Sequence, residues 1–139
     1  MMPSATPISV KGSCLCGAVR YEATGTPAAF DLDHCSRCRK ASGSAFKAEL
    51  ILSQAGFHWV SGPSLVRTYE APVRSTPPGY RRTFCTLCGG PVPTVDKDTI
   101  NIPAGTLDDP GLRPQRHIFV DRKAPWFDIG GRLPRYPTK

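Results

Sequence analysis

Phe84-Cys85-Thr86-Leu87-Cys88-Gly89-Gly90-Pro91 closes a series of three tight cysteine pairs. The series opens at Gly12-Ser13-Cys14-Leu15-Cys16-Gly17 and passes through Asp33-His34-Cys35-Ser36-Arg37-Cys38. Cysteines so close together let one short turn aim two thiolates at a single point, which is what each half of a tetrahedral zinc site needs. The first and third pairs run straight into glycine, whose backbone can take positive φ and fold amides back toward the sulfurs. The middle pair lacks that glycine. The competing reading of an even cysteine count is a disulfide framework. It fits poorly, because Met1 to Val10 shows no basic start followed by an apolar run. No secretory signal is expected there, and a cytoplasmic chain keeps its thiols reduced.

Working outward, 139 residues make one domain with room for a single core. No apolar stretch approaches the ~20 residues a membrane-spanning helix requires, so no membrane partner is expected. The 15 prolines and 13 glycines are spread along the chain, which marks a turn-rich fold in which long helices are not expected. Strand-like runs cover Ala18–Ala23, Ala29–His34, Phe46–Leu52, Phe57–Val60, Leu65–Glu70, Tyr80–Cys85, Thr99–Ile102 and Ile118–Asp121. Val19-Arg20-Tyr21-Glu22 and Phe46-Lys47-Ala48-Glu49-Leu50 alternate apolar with polar, the pattern of sheets with one wet face. The fold class is therefore mainly β. Ser36 to Ser44 suits one helical turn, and Thr106 to Gly111 reads as a turn. Residues 1–10 are expected to be a flexible tail and 11–136 the zinc domain.

The formal net charge of +7 is most simply a solvated basic surface. Arg37, Arg39 and Lys40 follow or bracket the second cysteine pair, while Arg81 and Arg82 precede the third, so positive charge lies near sulfurs and favours thiolates. Nucleic-acid binding would call for basic residues interleaved with exposed aromatics. The six Phe, four Tyr and two Trp are instead scattered at strand-like positions, which argues against it.

Four strings together resemble one family. They are Gly12 to Glu22, His34 to Phe46, Phe84 to Pro91 and Gly105 to Pro110, and His117 to Trp126 resembles the same family's ending. The family is the glutathione-dependent formaldehyde-activating (GFA, CENP-V/GFA domain) family, and the likeness runs from Lys11 to about Tyr136. The resemblance implies an Mss4-like single domain of short twisted sheets stapled by a four-cysteine zinc. It also implies that Cys14, Cys16, Cys85 and Cys88 share that structural zinc. Such a site joins segments about 70 residues apart, closes a long loop, and leaves no open position for substrate.

The middle segment departs from the family pattern. Catalytic members resemble C-H-C-x-x-C there, with three cysteine ligands and an open zinc position, whereas this chain has Asp33 in place of the first cysteine. Asp33, Cys35 and Cys38 are accordingly the candidate catalytic residues and the candidate ligands of a second zinc, held less tightly because carboxylate is a harder donor. The alternative is an empty site with two free thiols. His34, lying between candidate ligands on an extended segment, should point to the opposite face and pack. His58 and His117 read as ordinary sheet histidines, His117 drawing more interest because it belongs to the family-like ending. Trp126 and Phe127 read as core, or as the lining of a small pocket beside the second metal. No general base stands out.

The activity the resemblance implies is addition of the glutathione thiol to formaldehyde, a carbon–sulfur lyase-type reaction in the cytoplasm, with Arg37, Arg39 and Lys40 available to attract the thiol's carboxylates. A zinc-stabilised binding module of the same fold without catalysis is the alternative, and a basic zinc domain for nucleic acid the third.

Overall fold

Alternation at period two explains most of the architecture seen in the computed structural model, which describes residues 6–108 and 111–139. Tyr21 and Ala23, Leu50 and Leu52, and Ile100 and Ile102 each sit two apart on their strands, so both members of each pair face the same side of the sheet. Together with Val10 and Phe30 they form the main core, and each large side chain contributes about 1.5–3 kcal/mol by leaving water.

The strands are β1 (Ile8–Ser13), β2 (Arg20–Asp33), β3 (Lys47–Ser61), β4 (Val66–Glu70), β5 (Arg81–Cys85), β6 (Thr94–Val95), β7 (Thr99–Pro103) and β8 (Arg116–Ile118). One sheet runs β1-β2-β3-β7-β6, with β8 parallel to the far end of β2, and β4 and β5 pair separately. The one α-helix among the described residues, α1 (Ser36–Ser42), links β2 to β3, where a helical turn was expected, and ends on Gly43. No helix among the described residues is long and apolar enough to cross a membrane.

Two pairs of expected strands are in fact single long ones. The segment Gly25-Thr26-Pro27 reads as a break, yet it lies inside β2, because the register shifts between Thr24 and Thr26 and between Pro27 and Ala29 absorb the irregular residues as bulges. Bulges bend a strand and raise its twist, so β2 and β3 stay paired from Arg20↔Ser61 to Asp33↔Lys47 while the sheet curls. The expected tail also needs correction. Ile8, Ser9 and Val10 belong to β1, pairing with Gly25, Thr24 and Ala23, and Val10 is buried in the core.

Near the C-terminus the strand occupies Arg116–Ile118, earlier than expected, and residues 120–122 form a 3-10 turn after Phe119, whose φ of 54° ends the extended run. Of the turn expected from Thr106 to Gly111, Thr106 closes a 3-10 turn and Leu107 bridges to Gly12, while Asp109 and Pro110 lie outside the described residues. The last residues fold back beside β8: His117 N–H donates to the Pro134 carbonyl and Tyr136 N–H to that of His117.

Candidate functional site

Two cysteine-bearing clusters emerge from this topology. In the first, Cys14 follows β1 and Cys85 ends β5, and the ligand atoms of Cys14, Cys16, Cys85 and Cys88 lie within 4.8 Å of one another. Each pair sits in a tight turn ended by a glycine at positive φ, 80° at Gly17 and 75° at Gly89. Those turns bring backbone amides onto sulfur: Val19 N–H donates to Cys14 Sγ and Gly90 N–H to Cys88 Sγ, both at 3.4 Å. Cys14 and Cys85 are buried with Val19 and Val92, while Cys16 is exposed. The Gly90 amide above all, with further help from the Cys16 amide and thiol, draws the Cys88 thiol down to about 6. The Ala18 amide favours the Cys16 thiolate, but desolvation and the neighbouring sulfurs outweigh it and push that thiol up to about 11. Four sulfurs this close share protons, and a metal cation would release them. All six cysteines are free thiols, so no disulfide framework forms.

The second cluster is built by the β2–α1–β3 connection. Asp33 is the last residue of β2, Cys35 the N-cap of α1 and Cys38 its buried inner face. Their ligand atoms also lie within 4.8 Å of one another and could hold a metal ion. Asp33 Oδ1 accepts the Cys35 N–H at 2.9 Å. A hydrogen bond from Cys38, opposed in part by burial, lowers the Cys35 thiol to about 5, while that same bond and burial drive Cys38 upward. Their shared hydrogen bond thus moves the two thiols in opposite directions. Burial raises the Asp33 carboxyl. Lys47 stands directly opposite Asp33 in the strand register, yet its ammonium pairs with Glu49 at 2.8 Å. Among the described residues no cationic side chain forms an ion pair with Asp33. A half-buried carboxylate beside a thiolate, left without a counter-charge, is a donor set that suits a cation.

A cleft of about 170 Å³ opens over this cluster, lined by Asp33, Cys38, Lys47, Glu49, Tyr80 and Arg81 among others. Tyr80 was not among the expected site residues. It comes from the loop between β4 and β5, held by the Ala71 N–H bonded to its carbonyl at 2.7 Å, and its hydroxyl lies 3.6 Å from Cys38 Sγ. The basic residues near the sulfurs are mostly engaged. Arg37 stacks over the Tyr80 ring at 5.5 Å, Arg81 pairs with Asp96, and Arg82 donates to the Ala41 and Gly89 carbonyls, which ties α1 to the first cluster.

His34 packs, as its place on the strand requires: it is fully buried, and its Nε2 lies 2.9 Å from His117 Nδ1. Phe46 and Phe127 flank it, with centroids at 5.3 and 6.3 Å, whereas Trp126 is exposed. Burial holds His34 down to about 4, with His117 adding to the effect, and burial lowers His117 as well. Sequence reasoning missed this pairing because the two residues are 83 positions apart, joined only by the β2–β8 contact.

Acid sensitivity follows. Both imidazoles are neutral in the fold, and an unfolded histidine titrates near about 6.5. The His34 contribution is complete above that value and is lost as pH falls toward about 4, and that of His117 is lost in the same direction, because the unfolded chain binds protons the folded one refuses. The melting temperature should therefore drop between pH 7 and pH 5. His117→Asn, which leaves every cysteine in place, should melt lower at pH 7 but show a shallower acid slope. An unchanged slope in thermal scans would assign the acid loss to other groups.

Residues 9–122 match the family described as glutathione-dependent formaldehyde-activating enzyme. The chain belongs to the GFA family. A Halomonas elongata protein named "Putative glutathione-dependent formaldehyde-activating enzyme" is 30% identical over 130 residues, which cover 88% of this chain and 82% of that protein. A crystal structure of a Rhodobacter sphaeroides protein shares the fold, with a TM-score of 0.54 and 24% identity, covering 90% of this chain and 98% of that one. GFA membership agrees with the two clusters that could hold metal ions and with the mainly β, curled sheet.

Proposed function

We propose that the protein is a cytoplasmic zinc enzyme of the carbon–sulfur lyase type that adds a small-molecule thiol, glutathione in the first instance, to formaldehyde. The observation that carries this reading is the convergence of Asp33, Cys35 and Cys38, of which Asp33 and Cys38 line an open cleft. Three donors leave the fourth position of a tetrahedral ion free for substrate, which distinguishes this cluster from the four-cysteine one. What further supports it is the name of the Halomonas elongata relative and the free state of all six thiols, which suits a reducing compartment.

In the reaction the thiol sulfur attacks the carbonyl carbon and forms the C–S bond. The carbonyl π pair moves to oxygen, which takes up the proton that the thiol gives away, and S-hydroxymethylglutathione results. A bound zinc would supply Lewis acidity and lower the pKa of a coordinated thiol. Asp33, Cys35 and Cys38 would hold it, with α1 fixing the spacing of the two sulfurs and the β2 terminus presenting the carboxylate. Lys47 lines the cleft and offers a hydrogen-bond donor to a developing oxyanion.

One observation favours the alternative, a zinc-stabilised binding module without catalysis: the bond from Cys35 N–H to Asp33 Oδ1 is also what an aspartate stabilising a local turn would make. Metal content separates the two. Two zinc ions per chain, together with formaldehyde consumption above the spontaneous reaction with glutathione, are expected. In Cys35→Ser the second zinc and the catalysed rate should be lost while the melting temperature stays within a few degrees. A single zinc in the parent protein would transfer the conclusion to the binding module.

A further inference from the structure

We propose that Tyr80, braced by Lys47 and Glu49, is a positioning residue for the Cys38 sulfur, fixing that ligand and tuning its electron donation toward a bound metal. This proposal rests on the middle cluster holding a metal, as in the function proposed above. The geometry forms a directional chain. Glu49 Oε2 takes the Lys47 ammonium at 2.8 Å, Lys47 Nζ lies 3.5 Å from the Tyr80 hydroxyl, and that hydroxyl lies 3.6 Å from Cys38 Sγ. An ammonium can only donate. The Tyr80 oxygen therefore accepts from Lys47, and its own hydrogen is left to point at sulfur. Lys47 and Glu49 are two apart on β3, hence on one face, and the register places them across from Asp33 and Asp31. The cations Arg37 and Lys47 each lie 5.5 Å from the Tyr80 ring centroid, and Ala71 fixes its backbone.

A hydrogen bond to a coordinating thiolate withdraws electron density from the sulfur, leaves the metal more electrophilic and holds the ligand in one orientation. Cys35 takes the Cys38 and Arg37 backbone amides instead, and among the described residues no hydroxyl or ammonium donates to it, so the phenol is a donor that Cys38 has and Cys35 lacks. A tyrosine merely filling space would give no such asymmetry.

The test is Tyr80→Phe, compared with the parent after both are loaded with cobalt(II), whose thiolate charge-transfer absorption reports sulfur electron density. The parent should show bands from both clusters. In the variant, the band from the middle cluster, identified by its loss in Cys35→Ser, should move to longer wavelength while the four-cysteine band stays in place. Metal stoichiometry should persist. With zinc restored, kcat for glutathione-dependent formaldehyde consumption should fall about 10-fold or more with little change in KM, the usual scale for outer hydrogen-bond partners of a metal site. Lys47→Met, which leaves the phenol unbraced, should shift the same band by less. An unmoved band in Tyr80→Phe overturns the proposal even if activity falls, and so does a parent protein with no band from the middle cluster. A band that shifts in Tyr80→Phe while the parent has no formaldehyde activity sustains the role of Tyr80 and overturns the proposed reaction instead.

Discussion

Cys85→Ser should cost the protein any metal that the four cysteines hold and most of its stability. The cluster joins the end of β1 to the end of β5, across about 70 residues of intervening chain, so losing one corner releases a long loop as well as a ligand. Structural zinc in small domains is worth on the order of 10 kcal/mol, comparable with the whole stability of a domain this size. Cys85 is also completely buried against Val19 and Val92, where a serine hydroxyl would lack the sulfur's apolar contacts. Even a 5 kcal/mol loss would lower the melting temperature by about 15 °C, and the purified variant should carry one metal fewer. Cys16→Ser gives a useful contrast, since Cys16 is exposed: it removes a ligand without burying a hydroxyl and should be the milder of the two. A Cys85→Ser protein with the parent's melting temperature and metal content would mean that this cluster is not a staple.

The cysteine pairs and the period-two alternation were legible because both are local signals. A C-x-C or C-x-x-C turn carries its own geometry, and the alternation of Tyr21 with Ala23, or of Leu50 with Leu52, tells which face of a strand is buried without reference to any partner. What stayed hidden depended on partners. Pro27 and Gly56 look like strand breaks in isolation, and only the pairing of β2 with β3 shows that bulges carry the strand past them. Ile8-Ser9-Val10 alternates over too few residues to stand out, and its place in the sheet comes from pairing with Ala23 to Gly25.

The same division holds at the site. Asp33, Cys35 and Cys38 are close in sequence and could be grouped at once. Tyr80 reaches Cys38 from a proline-rich loop 42 positions away, and no local pattern marks it. Lys47 could have been suspected from the strand-like Phe46 to Leu52 facing Ala29 to His34, but only the register places it opposite Asp33. The His34–His117 pair is hidden for the same reason, with one useful hint: the alternation rule turns His34 away from the ligands and into the core, where a polar ring must find a partner.

Asp33→Cys should convert the middle cluster into a tighter metal site and a faster catalyst. The substitution replaces the carboxylate with a third thiolate on the same β2 terminus, and soft sulfur donors hold zinc more firmly than a carboxylate oxygen does. The surroundings suit the change. Asp33 is half-buried, its carboxyl is raised by burial, and it makes no ion pair among the described residues, so cysteine strands no cation. One bond is lost, that from the Cys35 N–H, but a thiolate at position 33 remains a candidate acceptor for it. Competition with a chelator should show second-site zinc affinity raised above that of the parent, since thiolate is the softer donor. Glutathione-dependent formaldehyde consumption, measured against the uncatalysed reaction of the two compounds, should rise at low zinc, where occupancy limits the parent. Asp33→Ala should do the reverse, losing the second zinc while the four-cysteine metal remains. If Asp33→Cys binds no additional zinc and Asp33→Ala changes neither metal content nor any thiol-dependent activity, the carboxylate is only the cap of a local turn. The Cys35–Cys38 pair would then be two free thiols, and the binding module without catalysis would be the correct reading of this fold.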